Sequence, residues 1–157
     1  MEAQEIHETL KRALPDAIGE IHAQTRDPYI MFDPAHVREV LTLLRDSPAL
    51  RFEMLQIITG VDWRDRFEVV YHLTSLTLGH RITLKAVLNH DDPHIASAVS
   101  IYPTADWHER EVYDLMGIVF DGHPDLRRIY MPDDWQGHPL RKDYVFPEEY
   151  HGIKNNA

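Results

Sequence analysis

Cysteine is absent from the 157 residues. That excludes disulfides, thiolate-bound iron–sulfur clusters, zinc ribbons and a cysteine nucleophile from this chain. Positive charge is scarce: 16 Lys and Arg stand against 26 Asp and Glu, a formal net charge of −10. A protein that coats a nucleic-acid duplex needs a basic surface, and an anionic membrane attracts basic segments, so neither is expected as a direct partner. Long apolar runs are missing too. The longest stretch without Asp, Glu, Lys or Arg, Pro93 to Ala105, is far too short to span a bilayer. Met1 to Leu14 mixes acids and bases without an apolar signal core, so no leader is expected and a cytoplasm-like setting is. Neither a phosphate-cradling glycine motif nor a G-x-S-x-G nucleophile elbow occurs, so nucleotide binding and serine nucleophile chemistry have no positive signal.

What is present is an ordinary globular balance, 43% hydrophobic and 27% charged, at a length that suits one domain. Ile6, Leu10 and Leu14 recur every fourth residue and predict a short helix that stops before Pro15. Ala17–His22 and Tyr29–Phe32 read as short strands. Asp33-Pro34 is a helix start, with Asp33 as cap and Pro34 at the first position, and Val37, Val40, Leu41 and Leu44 form the buried face that follows. From Phe52 the period changes to two. Three alternating runs follow, with Phe52, Met54, Gln56 and Ile58 on one face of the first. The second and third runs, around Phe67–Leu73 and Ile82–Leu88, form a hairpin through Ser75–Gly79. Asp92-Pro93 predicts a short helix carrying Ile95 and Val99. Thr104 is expected to cap a further helix, Ala105–Met116, stopped by Gly117. These elements give an α+β fold: an antiparallel or mixed sheet with helices on one side, over residues 1–119.

Residues 120–157 are different. Pro124, Pro132, Pro139 and Pro147, with Gly122 and Gly137, leave no room for a long helix or strand. Yet Leu126, Ile129, Tyr130, Met131, Trp135, Leu140, Tyr144 and Phe146 are far too apolar for a linker. The expectation is a long extended irregular C-terminal arm. Fixing each backbone residue costs about 1–2 kcal/mol, which the aromatic rings alone do not offset, so a neighbouring polypeptide is expected to complete it.

Candidate chemistry is sparse. His108 and Glu111 share a helix face, as metal ligands can, but no second such pair is found. A charged helix with internal ion pairs, Arg110 to Asp114 among them, is the simpler reading. The remaining histidines, including His72, His80, His90, His94, His123, His138 and His151, show no metal-ligand spacing, so no metal site is expected. His123-Pro124 and His138-Pro139 read as turns or caps. Arg127-Arg128 and Arg141-Lys142 lie beside Asp125 and Asp143, and fixed ion pairs that hold the arm are expected from them.

One block is specific. Glu109-Arg110-Glu111-x-x-Asp114-Leu115-Met116, then six residues to His123, then Arg127, resembles the signature of the 30-kDa subunit family of respiratory complex I, the proton-pumping NADH–quinone oxidoreductase. Asp134-Trp135-x-Gly137-His138-Pro139-Leu140-Arg141-Lys142-Asp143-Tyr144 is similar to the ending of the same family. The resemblance implies a non-catalytic scaffold subunit in the peripheral arm of a proton-translocating complex. Such a protein packs against the 49-kDa-type quinone-site subunit, with its tail over that neighbour. It implies no cofactor on this chain, with NADH, FMN, iron–sulfur clusters and quinone on other subunits. The implied location is peripheral, on the cytoplasmic face of the membrane, touching it only through the complex. Carried over by position, Glu109, Arg110, Glu111, Asp114, His123 and Arg127 are signature residues with structural and interface roles. Trp135, Pro139, Arg141, Lys142, Asp143 and Tyr144 are expected to fix the arm on its partner. The electron donor stays open between NADH and ferredoxin. Two alternatives stay open beside the scaffold: the corresponding subunit of a ferredoxin-dependent relative or of an energy-converting membrane-bound hydrogenase, and a stand-alone soluble enzyme working through His108 and Glu111.

Overall fold

The computed structural model describes residues 1–154; residues 155–157, the end of the expected arm, lie outside the described residues. The elements run α1 (Ala3–Ala13), β1 (Ile18–His22), β2 (Tyr29–Phe32), α2 (Val37–Asp46), β3 (Met54–Asp62), β4 (Arg66–Thr74), β5 (Arg81–Asn89), β6 (His94–Ala96), α3 (Ala105–Met116), β7 (Val119–Asp121), β8 (Glu149–Tyr150) and β9 (Ile153–Lys154). A five-stranded sheet has the order β1-β2-β5-β4-β3. Only the β2–β5 pair is parallel, so the sheet is mixed. The expected α+β class is what the structure has.

The core follows from the two periodicities. Phe67, Val69, Tyr71 and Leu73 on β4 and Ile82, Leu84, Ala86 and Leu88 on β5 all turn to one face. Ile6 and Leu10 of α1, Val37, Val40, Leu41 and Leu44 of α2, and Val112 and Met116 of α3 join the same cluster. Asp33 accepts from the Ala35 N–H at 2.9 Å, and Pro34 opens a single 3-10 turn that leads into α2.

Three local expectations fail for physical reasons. In β3 the apolar set slips: Leu55 and Ile58 are buried while Met54 is exposed, because the pairing with β4 shifts between Leu55 and Ile57. A bulge adds one residue and turns the pleat over. Residues 94–96 form a strand, not a helix, because they pair in parallel with residues 119–121 and bury Ile95 against the core. Thr104 has helical backbone angles and no capping bond; its hydroxyl donates to the Leu55 carbonyl at 3.4 Å and tethers α3 to β3.

Gly60 decides where α3 sits. A Cβ there would lie 2.6 Å from Met116 Sδ and 2.9 Å from Val112 Cγ1, so the bare backbone admits the helix. Gly117 ends α3 in the left-handed conformation at φ 73°, as a helix-stopping glycine does.

Candidate functional site: the junction of α3 and the C-terminal arm

Alpha-helix periodicity puts Glu109, Arg110 and Asp114 on the inner side of α3, and all three are buried. The two carboxylates sit five residues apart and are held differently. Glu109 Oε2 accepts from the Ser97 hydroxyl and Oε1 from the Ala98 N–H, both at 2.6 Å. Burial pushes this carboxyl up to about 7, against the pull of those two donors. It locks the segment just after β6 to the helix.

The segment expected as an extended arm folds back on α3, and its anchor is Asp114. Its Oδ2 accepts from three successive N–H groups, Ile129 at 2.9 Å, Tyr130 at 2.7 Å and Met131 at 2.9 Å. Its Oδ1 receives the Arg128 guanidinium at 2.8 Å, with Arg128 only 15% exposed at the side chain. Burial works to raise this carboxyl, but the three N–H groups and Arg128 prevail and hold it below its ordinary value. The Asp114 carbonyl also accepts from Arg128 at 3.1 Å and from His138 Nδ1 at 3.0 Å. Burial keeps the His138 imidazole below its ordinary value, and Arg128 and Arg141 beside it act in the same direction.

The rest of the inner arm is tied in the same way. His123 Nδ1 accepts from the Asp125 N–H at 2.9 Å, which leaves Nε2 to donate to the Asp106 carbonyl at 3.2 Å. Arg110 donates to the Arg127 carbonyl at 3.3 Å and lies over the Trp107 ring at 4.7 Å. Leu140 N–H donates to Leu115 O at 2.9 Å, and Arg141 Nε to Met116 O at 2.7 Å. These satisfy carbonyls that the C-terminus of α3 leaves free. Lys142 N–H reaches the buried Asp62 carboxylate at 2.8 Å. Gly117 is covered so closely that a Cβ would stand 2.5 Å from the His138 ring.

The outer arm turns on itself. The Tyr144 hydroxyl donates to Gln136 O at 3.1 Å, and its ring packs on Phe146. Trp135 packs on Tyr150, while Tyr150 and His151 bond Asp134 at 2.8 and 2.7 Å. The Trp135 Nε1–H is buried with no partner among the described residues.

The structure therefore gathers Glu109, Arg110, Asp114, His123 and Arg141 at one junction, with Lys142 contributing its backbone. Arg127 instead makes an exposed local pair with Asp125 at 2.9 Å. Pro139 is half-buried in the turn between His138 and Leu140. Glu111 borders a shallow groove with Ile57, Leu115 and Leu140. No third metal-ligating group joins His108 and Glu111 among the described residues. The expected Arg110–Asp114 pair is not formed: Arg110 turns toward Asp106 at 4.0 Å and Asp114 takes Arg128. Arg141 likewise takes a carbonyl and not an acid. Arg128 forms the ion pair expected of the Arg127-Arg128 couple, but with Asp114 and not with Asp125. His138, expected as a turn or cap residue, is a further anchor, and Asp62 is one that sequence reasoning does not single out. The only sequence signal for Arg128 is its place in a basic pair, and Asp62 lies 80 residues from the backbone group it holds.

Chemically, this junction is a clamp. A profile described as "Respiratory-chain NADH dehydrogenase, 30 Kd subunit" matches residues 30–150, which takes in α2, all of the five-stranded sheet but β1 and the first residue of β2, the clamp and most of the C-terminal segment. The chain belongs to that family. It is 46% identical over 160 residues to an NADH-quinone oxidoreductase subunit of Salinispora arenicola, covering 96% of this chain and 65% of the relative. With the equivalent protein of Saccharopolyspora erythraea it shares 54% over 129 residues, 78% of this chain and 52% of that protein. With that of Roseiflexus sp. it shares 47% over 139 residues, 87% and 80%. The chain thus spans about half to two-thirds of the first two of these relatives. Among solved structures, a trypsin-resistant fragment of Nqo5 aligns with 80% of this chain and 100% of its own at 30% identity and TM-score 0.63. The membrane-bound sulfane sulfur reductase, an archaeal respiratory membrane complex, contains a chain that aligns with 90% of this one and 85% of its own at 28% identity and TM-score 0.74. No helix among the described residues is long and apolar enough to cross a membrane.

Proposed function

We propose that this 30-kDa-family chain is a scaffold subunit of the peripheral arm of a proton-translocating NADH–quinone oxidoreductase, carrying no catalytic residue itself. The observation that supports it is the division of the arm. The body clamps its inner half through Asp114, while Tyr130, Leu140, Val145, Phe146 and Ile153 stand exposed along its length. Exposed apolar groups in series are what an interface buries. The partner in this reading is the 49-kDa-type quinone-site subunit, with other peripheral-arm subunits beside it. Trp135, Tyr144 and their neighbours shape the arm's outer turn against that partner. NADH, FMN, iron–sulfur clusters and quinone sit on other subunits, and the chain lies on the cytoplasmic face, meeting the membrane only through the complex.

The likeness to a chain of the archaeal sulfane sulfur reductase supports a second reading, the corresponding subunit of a ferredoxin-dependent relative or an energy-converting hydrogenase. One experiment addresses both. The native chain is tagged, its complex is isolated, and the companions are identified by mass. A large subunit with metal-binding cysteines supports the hydrogenase; a 49-kDa-type subunit without them supports a quinone reductase, and NADH-oxidising companions then separate the first reading from the ferredoxin-dependent relative. A free monomer that turns over a substrate unaided would refute both.

A further inference from the structure

Asp62, His90 and Asp143 come from three distant parts of the chain: the end of β3, the loop after β5 and the arm. They can each offer one ligand atom within 4.8 Å of the others. Asp62 is buried and already oriented, with Oδ1 accepting from the Arg64 N–H at 2.6 Å and Oδ2 from the Lys142 N–H at 2.8 Å. His90 is fixed by stacking on Phe67 at 4.6 Å with an interplanar angle of 6°. Its Nε2 is shut off from solvent without a hydrogen bond, 3.4 Å from Asp62 Oδ1. Asp143 has no hydrogen bond or ion pair among the described residues. The neighbouring cations are engaged elsewhere: the Lys142 ammonium lies 5.4 Å from the Trp63 ring centre, and Arg141 bonds Met116 O and lies over Phe67.

We propose that these three residues bind a divalent transition metal of the zinc class. Zinc bonds to imidazole nitrogen and carboxylate oxygen are about 2.0–2.2 Å, so two tetrahedral ligands stand about 3.3–3.5 Å apart, which is the Asp62–His90 separation. The hydrogen-bonded carboxylate supplies the outer support that metal ligands generally have. A solvent position completes the coordination. The ion clips the inner arm to the sheet where the clamp ends. This deepens the scaffold reading and rests on it, since it sets how far the arm is fixed before a partner arrives.

Its test needs no partner. The metal-free full chain is titrated with Zn²⁺, and with Co²⁺ as an absorbance probe, as wild type, Asp143→Asn and His90→Gln. One equivalent binds the wild type, and affinity falls at least about tenfold in each variant. Bound metal slows trypsin cleavage after Arg141 and Lys142 in the wild type alone. Asp143 is exposed, so Asp143→Asn keeps the fold. No saturable binding, or binding and trypsin protection unchanged in both variants, overturns the site; the latter would assign the ion to another pair such as His94 with Asp121. Either failure leaves the companions found with the tagged chain untouched, so the two readings fail separately.

Discussion

The inner arm is tied to the body at His123, at residues 127–131 and at residues 138–142, while residues 134–136 and 144–154 bond mainly to each other. Both stretches are aromatic and mostly irregular, apart from the short β8–β9 hairpin at the end of the second. They differ in what faces them. The inner half meets a buried carboxylate at Asp114, another at Asp62 and the free carbonyls at the end of α3. The outer half meets Gln136 and Asp134 of its own arm, and leaves Val145 84% and Ile153 73% exposed. An irregular segment is fixed where the body offers buried acceptors for its N–H groups. Where it does not, apolar side chains stay in water until another surface covers them.

The largest expected effect breaks the inner half. Asp114→Ala strands Arg128 and three N–H groups at a buried site, and losses of about 3–5 kcal/mol are typical when one partner of a buried pair is removed. Chemical denaturation of the full chain should show that loss, with fast hydrogen exchange at 129–131. Stability unchanged within about 0.5 kcal/mol would remove Asp114 as anchor.

The second expected effect separates the two carboxylates of α3 by pH. Glu109 is raised, to about 7, so the folded state binds the extra proton between its ordinary value and 7, and its contribution is lost as pH rises through that window. Asp114 is lowered, so its contribution is present above the ordinary carboxyl value and is lost as pH falls. Glu109→Gln should flatten the stability profile between about pH 4.5 and 7, a span worth on the order of 3 kcal/mol, and leave the acid limb in place. An unchanged slope in that window would contradict the assignment.

Gly117→Ala comes next. The left-handed backbone costs about 1–2 kcal/mol for any residue with a Cβ, and the His138 ring must also move. Thermal unfolding of the variant should fall accordingly, and cleavage of the inner arm by trypsin should speed up. The smallest effect on stability belongs to the outer half. Val145→Ser and Phe146→Ala should shift the isolated chain by less than about 0.5 kcal/mol, yet lower the recovery of assembled complex. A stability loss matching the clamp variants would erase the distinction between the halves.

The sheet and helices are legible in the sequence because their apolar periods are long: α2 and β4–β5 each repeat over several turns or pleats. The bulge in β3 is not, since Phe52, Met54, Gln56 and Ile58 alternate as well as any strand and only pairing with β4 reveals the extra residue. Residues 94–96 read locally as a helix because their partner strand lies 25 residues on. Asp114 stands out within a specific motif, but the motif does not say that Arg128, not Arg110, answers it. Asp62, His90 and Asp143 are invisible to any spacing rule, because the fold alone brings them together.

Hydrogen exchange on the chain, alone and within its isolated complex, tests the central division most directly. The prediction is slow exchange at 129–131, 140 and 142 in both states, and slow exchange over 144–154 only in the complex. Equal protection of the outer half in the lone chain, or an inner half that becomes protected only on assembly, would contradict it.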